Sequence, residues 1–555
     1  KVSARRTTAR RTTRTATPAE LAQPAAAGGR APARHRARGM IAAGLAALAL
    51  TATACGGGSD SASGTGASGA PAKAGGEMTM LAVQDSKSLD VFRTSYVAVT
   101  DEPRLAALYD PLFFIDPATG KVVPHLAESL TTADNGATWT LKLRPGVTFS
   151  DGTPFDAAAV KLNYDTHAKP DVRSLHIAAA ATITTEVVDP TTVRITGNTG
   201  PNPNFDRTVA TELTYIEAPS AINKGIDEAG ANPVGAGPFM LDSWTRGDKQ
   251  VFVRNPNYWQ KDKGLPKLDR LTIKNLPDIK QQYNSVKSGQ ADIFVSSNGG
   301  LLADAADELQ VQRMAPLGGQ MIQFNMNRAP FDDIRARKAL ALAFDPADIP
   351  RQLGNGDIPA KGYFAEASQF FDPGVVQPGQ NAAEAQRLLN ELANDGKKLE
   401  FTFLIPKNPA SQAVADYMQS RLGTMQNVSM KIESLEINAY INKYAVQRDF
   451  TAMLFQQWIA DPEPVFFNSF HSASRLNHTG WKNPQVDAAL VTGRSSTDPA
   501  TRKAAYTEVQ KAMSADVPVW VYAESLAGPI YAKKVTGVHT YNTGTFFMDR
   551  IGFAS

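Results

Sequence analysis

The chain has 555 residues, 43% of them hydrophobic and 20% charged, which is the composition of an ordinary globular protein and too much chain for one compact domain. Its formal net charge is +3, but ten of the 57 basic residues and only one of the 54 acidic residues lie within residues 1–54. The rest of the chain is therefore mildly acidic, which argues against a nucleic acid partner.

Residues 1–54 have the order of a secretory signal. The segment "RAPARHRARG" is cationic, and the apolar segment after it, Met40–Ala54, is shorter than the ~20 residues of a membrane-spanning helix. Cys55, the only cysteine, begins a Gly/Ser-rich tether, residues 55–76. This order resembles a bacterial lipoprotein signal, which implies removal of residues 1–54 and lipidation of Cys55.

From about Glu77 the chain is predicted to form strands and helices. Alternating apolar residues predict strands in "EMTMLAV", "TWTLKL", "VFVRNPNYW" and "LDRLTIKNL". Helices are predicted in "DEPRLAALYD", in a segment whose first turn carries Asp156, and in "DIKQQYNSVK", which Gly289 ends.

A second region is predicted to begin near residue 320. Its predicted strands are "QMIQFNMN", "LEFTFLI", "SMKIESLEI" and "FTAMLFQQW"; its predicted helices are "DDIRARKALALAFDPADI", broken by Pro346, "NAAEAQRLLNELANDG" and "SQAVADYMQSRLGTM". Strands that alternate with helices predict an α/β unit with a largely parallel sheet.

The stretch "FQQWIADPEPVFFNSF", residues 455–470, places Asp461 and Glu463 directly before prolines and among aromatic residues. An Asp-Pro turn with packed aromatics is one interpretation. The other is a cleft that receives a cation, because the stretch follows a predicted strand and ligands of open α/β sheets bind beyond the carboxyl ends of strands. These residues alone leave both interpretations open.

Motifs of enzymes and metal sites are missing from the sequence. It contains no GxSxG elbow, no HExxH and no Walker loop, and the GxGxxG match at Gly64–Gly69 lies in the tether with no strand before it. Of seven histidines only His471 and His478 are close together, and a solvated loop is predicted for them. We therefore expect no catalysis, no cofactor and no metal centre.

Over roughly residues 77–530 the order of motifs resembles the extracytoplasmic solute-binding proteins of peptide-type ABC importers, solute-binding protein family 5. The resemblance is carried, in collinear order, by "LYDPLFFIDPATGKVVPHLAESL", "WTLKLRPGVTFSDGTPFDAAAVKLNYD", "NPVGAGPFMLDSW", "FVRNPNYWQ", "SVKSGQADI", "IRARKALALAFD", "AQRLLNEL" and "TRKAAYTEVQKAMSADVPVWVYAE". It implies an α/β, periplasmic-binding-protein-like clamshell of two lobes that closes on solute. Lobe I is expected to comprise residues 77–315 and 521–555, and lobe II residues 316–520, joined by two crossover strands.

The resemblance also implies ligand-binding residues. "WIADPEP" matches the family segment in which an aromatic residue stands three positions before an aspartate that pairs with a peptide's α-ammonium. Asp461 is therefore expected to bind the ammonium, and Trp458 to form a wall of the cleft. In lobe I, Tyr96 is expected to stack on the ligand and Arg93 to meet a carboxylate, with an exposed loop as the alternative; Asn325 and Phe546 complete the set.

The resulting hypothesis is a monomeric lipoprotein on the outer face of the cell membrane, of the Gram-positive or actinobacterial type, that delivers a peptide to ABC permease subunits. Three alternatives stay open. The same fold could bind a non-peptide solute such as a nickel chelate or an oligosaccharide, the protein could be a secreted hydrolase, or it could be a surface interaction protein that has kept the fold and lost transport.

Overall fold

The structure is a computed structural model that describes residues 71–314, 318–354 and 356–554. The predicted signal segment, the lipidation site at Cys55 and the Gly64–Gly69 motif lie outside the described residues.

The described strands are short and distributed along the whole chain. They are β1 (Glu77–Ala82), β2 (Phe113–Ile115), β3 (Val122–Pro124), β4 (Ala127–Thr131), β5 (Thr138–Leu143), β6 (Ile183–Asp189), β7 (Thr192–Gly197), β8 (Phe239–Thr245), β9 (Lys249–Arg254), β10 (Arg270–Asn275), β11 (Ile293–Ser296), β12 (Gln310–Val311), β13 (Gly319–Phe324), β14 (Leu399–Pro406), β15 (Val428–Leu435), β16 (Ala452–Gln456), β17 (Val519–Glu524), β18 (Gly528–Tyr531), β19 (Val535–Thr536), β20 (Thr540–Tyr541), β21 (Thr545–Phe546) and β22 (Gly552–Phe553).

Helices connect most of these strands. They are α1 (Glu102–Leu108), α2 (Ala157–His167), α3 (Ile177–Ala180), α4 (Phe205–Glu212), α5 (Pro219–Ile222), α6 (Ile226–Ala231), α7 (Ile279–Lys287), α8 (Gly299–Asp304), α9 (Ile334–Ala343), α10 (Asp348–Leu353), α11 (Ala382–Asn394), α12 (Pro409–Leu422), α13 (Ile437–Ile441), α14 (Val465–Phe470), α15 (Pro484–Arg494) and α16 (Pro499–Asp516). Within the described residues, none of the helices combines the length and the hydrophobicity needed to cross a bilayer.

Two larger sheets form the first part of the molecule, which we call lobe I. A seven-stranded sheet has the order β12-β18-β11-β1-β10-β9-β8, and a four-stranded antiparallel sheet has the order β4-β5-β7-β6. Strand β18 pairs with β11 and β12, so the C-terminal chain returns to the sheet that the N-terminal chain began. Lobe I thus comprises the described residues up to 314 and those from 525 onward.

The second part, lobe II, is built on the five-stranded sheet β15-β14-β16-β13-β17. Strand β14 runs parallel to β15 and β16, whereas β13 runs antiparallel to β16 and β17. The prediction of a largely parallel sheet was therefore wrong for half of the strand pairs. Strand β13 enters from lobe I and β17 returns to it, so these neighbours must run in opposite directions.

The two segments that cross between the lobes run side by side. Strand β12 lies in the lobe I sheet and β13 in the lobe II sheet, while β17 lies in the lobe II sheet and β18 in the lobe I sheet. Met314 and Ala527, one on each crossing segment, form an isolated antiparallel bridge. Paired crossings of this kind let two lobes move about a common hinge.

Local sequence signals place the helices of lobe II that later form the site. Asn483 and Asp498 cap α15 and α16 with side-chain oxygens that accept backbone N–H groups, and each is followed by a proline at the first helical position. Asparagine, aspartate and a following proline are favoured at such helix starts. The caps fix where α15 begins, at Pro484, and where α16 begins, at Pro499, so that the first turn of α16 presents Arg502.

Glycines in "GAGPF" let a turn of lobe I approach α1 closely. A Cβ atom at Gly235 would lie 2.0 Å from the carbonyl oxygen of Leu108, and one at Gly237 would lie 2.5 Å from the Leu108 carbonyl carbon. The Gly237 N–H donates to that oxygen at 2.9 Å. Glycine is required here for close approach, because a side chain would collide with the helix end.

Lobe I contains buried carboxyl groups, of which Glu217 is the clearest case. Burial, together with the charge of the nearby Asp90, raises the pKa of Glu217 to about 8 against the opposing hydrogen bond from Tyr109. The Tyr109 hydroxyl donates to Glu217 Oε1 at 3.0 Å. The folded protein therefore keeps a proton that the unfolded chain releases above pH ~4.5.

We predict that Glu217 lowers stability as the pH rises. A carboxyl group with a raised folded-state pKa does not change the free energy of unfolding while the pH is below its unfolded-state pKa. Above that value it lowers the free energy of unfolding, and the loss grows until the pH passes the folded-state pKa, here from about 4.5 to about 8. Glu217→Gln removes the charge, so thermal melts from pH 5 to 8.5 should show a smaller decline in stability, by roughly 1–3 kcal/mol at the alkaline end. The exposed acid Glu128, changed to Gln, is the control; equal declines in both variants would contradict the assignment.

Candidate functional site

A cavity of about 210 Å³ lies between the lobes. Both lobes line it, so a molecule inside would contact each of them. Lobe I contributes Leu175, His176, Ala178, Ala179 and Glu212, and lobe II contributes Gln323, Phe455, Gln457, Val465, Asn468, Ser469, Leu476 and His478. Leu175 and Leu476, one from each lobe, are 59% and 39% exposed and give the cavity apolar side chains beside its polar ones.

Helix α14 of lobe II begins directly after the "ADPEP" segment. Val465, Asn468 and Ser469 line the cavity, and their i, i+3, i+4 spacing places them on one side of the helix. Phe466 and Phe470 are buried in the aromatic core of lobe II. The phenylalanines of the sequence motif thus pack one side of this short helix into the core, and the other side of the helix faces the cavity.

Helix α4 of lobe I supplies two charged residues with different surroundings. Arg207 lies near its start and Glu212 at its last position, a separation of ~7.5 Å along the axis at 1.5 Å per residue. Arg207 contacts lobe II, whereas Glu212 lines the cavity. One helix therefore joins the interlobe contact to the cavity.

His176 holds the Glu212 carboxylate in place. The distance between His176 Nδ1 and Glu212 Oε2 is 2.7 Å, and His176 Nε2 lies 3.4 Å from the Thr94 carbonyl oxygen. The Tyr96 ring packs on the imidazole with 3.8 Å between centroids. His176 is thus fixed on both sides, and it orients the carboxylate from behind.

Lobe II faces the cavity with hydrogen-bonding groups that are neutral near pH 7. Arg448 donates to His478 Nδ1, which leaves the ring proton on Nε2, and burial lowers the pKa of His478 to about 4, with the Arg448 charge adding to the effect. Gln457 donates to the Ser469 hydroxyl at 2.9 Å. Gln323 is 3% exposed, and its Oε1 has no hydrogen-bond partner among the described residues. Such a buried, unpartnered oxygen costs ~1–3 kcal/mol.

Asp461 forms an ion-pair cluster that spans the lobes. Arg207 Nε of lobe I donates to Asp461 Oδ2 at 2.8 Å, and Arg502 of lobe II donates to both carboxylate oxygens. Burial alone raises the pKa of Asp461, but the Arg502 and Arg207 charges outweigh it and hold the pKa below its usual value. The carboxylate is therefore charged and already compensated by two guanidinium groups.

Glu463, two residues on, also lies at the lobe contact. Arg494 Nε lies 2.9 Å from Glu463 Oε1, and Asn202 of lobe I donates to the same oxygen at 3.3 Å. Here burial outweighs the Arg494 charge and raises the pKa of Glu463 to about 7. Both acids of the "ADPEP" motif thus contact lobe I, one with a lowered pKa and one with a raised pKa.

The residues predicted as ligand contacts lie apart from the cavity lining. Arg93 pairs with Asp90 and Asp227, and the Tyr96 hydroxyl donates to the Val91 carbonyl at 2.8 Å. Asn325 donates to the Phe450 carbonyl at 3.0 Å, Phe546 is fully buried in the lobe I core, and Trp458 is half-buried with an indole N–H that has no partner among the described residues. Their ligand roles, like that of Asp461, stay predictions; for Asp461 the role requires Arg207 to leave.

Sequence reasoning singled out the stretch 455–470, which supplies five of the lining residues, but it missed the lining residues outside that stretch. His176, Glu212 and Gln323 stand in no motif, and nothing in their local pattern marks them. His478 was predicted to lie in a solvated loop; it is half-buried, whereas His471 stacks on Phe467 with 4.3 Å between centroids. No group of His, Cys, Asp or Glu side chains suited to a metal ion occurs in the part of the chain that the structure describes.

Two lobes joined by paired crossings, with a cavity between them that both lobes line, define a solute-binding protein of the clamshell class. The family model described as "Bacterial extracellular solute-binding proteins, family 5 Middle" matches residues 121–477. The chain belongs to this family, and the sequence-based prediction of the family and of its fold is confirmed.

Individual relatives span nearly the whole described chain. The glutathione-binding protein GsiB of Escherichia coli K12 is 27% identical over 466 residues, which is 81% of this chain and 88% of GsiB. Two solved structures have similar folds. The oligopeptide-binding protein AppA of Bacillus subtilis, in complex with a nonapeptide, has a TM-score of 0.74 at 20% identity and covers 87% of this chain and 100% of its own. NikA of Brucella suis, in complex with Fe(III)-EDTA, has a TM-score of 0.71 at 23% identity, with coverages of 86% and 98%.

We predict that Arg207 and Asp461 are energetically linked across the lobes. Urea unfolding of wild type, Arg207→Ala, Asp461→Ala and the double variant should give an interaction free energy of ~0.5–3 kcal/mol, because each single change leaves a largely buried charge without its partner. The Arg194–Glu186 pair, whose side chains are 49% and 64% exposed, is the matched control and should give less than ~0.5 kcal/mol. Additive effects at 207 and 461 would show that the contact does not hold the lobes together.

Proposed function

We propose that the protein captures a short peptide in the interlobe cavity, outside the cytoplasm, and delivers it unchanged to the permease of an ABC importer. The observation that carries the proposal is the interlobe cavity to which both lobes contribute hydrogen-bonding groups, in a chain of the family 5 solute-binding proteins. A ligand that bridges both lobes stabilises the closed form by its differential affinity, which is how binding is converted into a shape that a permease can recognise.

The size and the relatives support a short peptide. A volume of about 210 Å³ lies below the ~300–1,000 Å³ of pockets for drug-sized ligands, so a compact solute fits best. GsiB is named for glutathione, a tripeptide, and AppA was solved with a nonapeptide. The mixture of apolar Leu175 and Leu476 with amide and hydroxyl groups suits a backbone that carries small side chains.

Binding without turnover is the test of this proposal. Trialanine, glutathione and, as a non-peptide probe, Fe(III)-EDTA are titrated into the purified protein by calorimetry, and each mixture is then analysed by mass spectrometry. We expect saturable binding of trialanine or glutathione with no loss of intact peptide. Ala178→Trp fills the cavity and should abolish binding, whereas Ala118→Trp, on an exposed loop, should not.

Three outcomes would contradict the proposal. They are hydrolysis that survives repurification, binding that Ala178→Trp leaves unchanged, and binding of Fe(III)-EDTA alone. The last would place the protein with non-peptide binders that share the fold, as NikA does.

We further propose that a lipid on Cys55 holds the protein at the outer face of the membrane as a monomer. The support is the cationic segment, the short apolar segment and the Gly/Ser tether around the single cysteine. Cys55→Ser should move the protein from the membrane fraction to the culture medium, and globomycin should leave a larger precursor in wild type. A Ser variant that stays in the membrane fraction would overturn the anchor, while the binding proposal would stand.

A further inference from the structure

Glu212 is the carboxylate that the interlobe cavity presents. Its side chain is 28% exposed, it lies at the end of α4, and His176 holds its Oε2 while no hydrogen bond among the described residues engages its Oε1. Within the described part of the chain, His176 is the only basic side chain in ion-pair contact with it. A charged oxygen therefore remains open to a molecule in the cavity.

Asp461 differs from Glu212 both in its exposure and in the partners of its carboxylate oxygens. Its side chain is 3% exposed, and Arg207 and Arg502 engage both of its oxygens. An ammonium could reach it only by displacing Arg207, which would remove one of the hydrogen-bonded contacts between the lobes. Truncating one partner of such a buried pair is strongly unfavourable, so displacement would work against closure.

The lobe II wall of the cavity carries hydrogen-bond donors, whereas the lobe I wall carries the Glu212 carboxylate. His478 Nε2–H and the Ser469 hydroxyl are donors, and they suit the carbonyl or carboxylate oxygens of a solute. An ammonium has three N–H donors and a positive charge, which matches Glu212 Oε1.

We propose that Glu212, oriented by His176, binds the solute's primary ammonium in the interlobe cavity. The inference rests on the proposed function and assigns the ligand class more narrowly, to short peptides with a free amine. The Asp461 cluster then serves closure of the lobes instead of recognition of the amine.

The test is a calorimetric comparison of trialanine with N-acetyl-trialanine. Acetylation should weaken binding to wild type by roughly 10- to 100-fold, the loss expected when a hydrogen bond to a charged group is removed. Glu212→Gln should weaken trialanine by a similar factor and should leave less than about a threefold further loss on acetylation, because both changes remove the same interaction. Glu212→Asp keeps the charge and should restore part of the discrimination.

Controls separate the outcomes. Glu228→Gln, an exposed acid of the same lobe, should behave as wild type, and melting temperatures without peptide report folding of each variant. If Glu212→Gln retains the full acetylation penalty, the inference fails, and loss of the penalty in Asp461→Asn would then place the amine on Asp461. If wild type binds neither trialanine nor glutathione, the proposed function itself fails; if it binds both forms of trialanine equally, only the inference does.

Discussion

The ion pair between Arg207 and Asp461 is the contact on which the geometry of the site depends. It fastens the start of α4 in lobe I to the segment that precedes α14 in lobe II. Because both helices are then fixed relative to each other, Glu212 at the far end of α4 and the cavity side of α14 face one another. A buried carboxylate with two guanidinium partners is stable in this position because neither oxygen is left without a donor.

Neighbouring carboxyl groups reach different states through the same competition. Around Asp461 the charges of two arginines outweigh burial, whereas around Glu463 burial outweighs one arginine and the pKa rises to about 7. The Glu212 side chain is 28% exposed, and among the described residues His176 is the only basic side chain in ion-pair contact with it. The cavity thus presents one carboxylate to a solute, whereas Asp461 and Glu463 are engaged in the contact between the lobes. Closure and recognition can therefore be served by separate residues.

Much of the fold was predictable from local pattern. Strands with alternating apolar residues, helices that end at glycine, and the aromatic packing of Phe466 and Phe470 follow from periodicity and capping. The strand directions of lobe II were not predictable in this way, because β13 and β17 pair through a return of the chain from nearly 200 residues away. Tyr96 shows the same limit at the site: the sequence marks it as a ring near the ligand, and the structure shows that it packs on His176, which lines the cavity.

By itself, the sequence determined the family, the α/β class and the importance of the "ADPEP" segment, because collinear motifs and hydrophobic periodicity are carried by neighbouring residues. Only the tertiary structure decided what that segment does. Arg207 lies 254 positions before Asp461 and Arg502 lies 41 after it, so no local pattern reveals that the acid is already paired. The same reason hides Glu212 and Gln323. A charge is available to a ligand only when no partner reaches it, and partners are brought together by the closure of two lobes, not by their order along the chain.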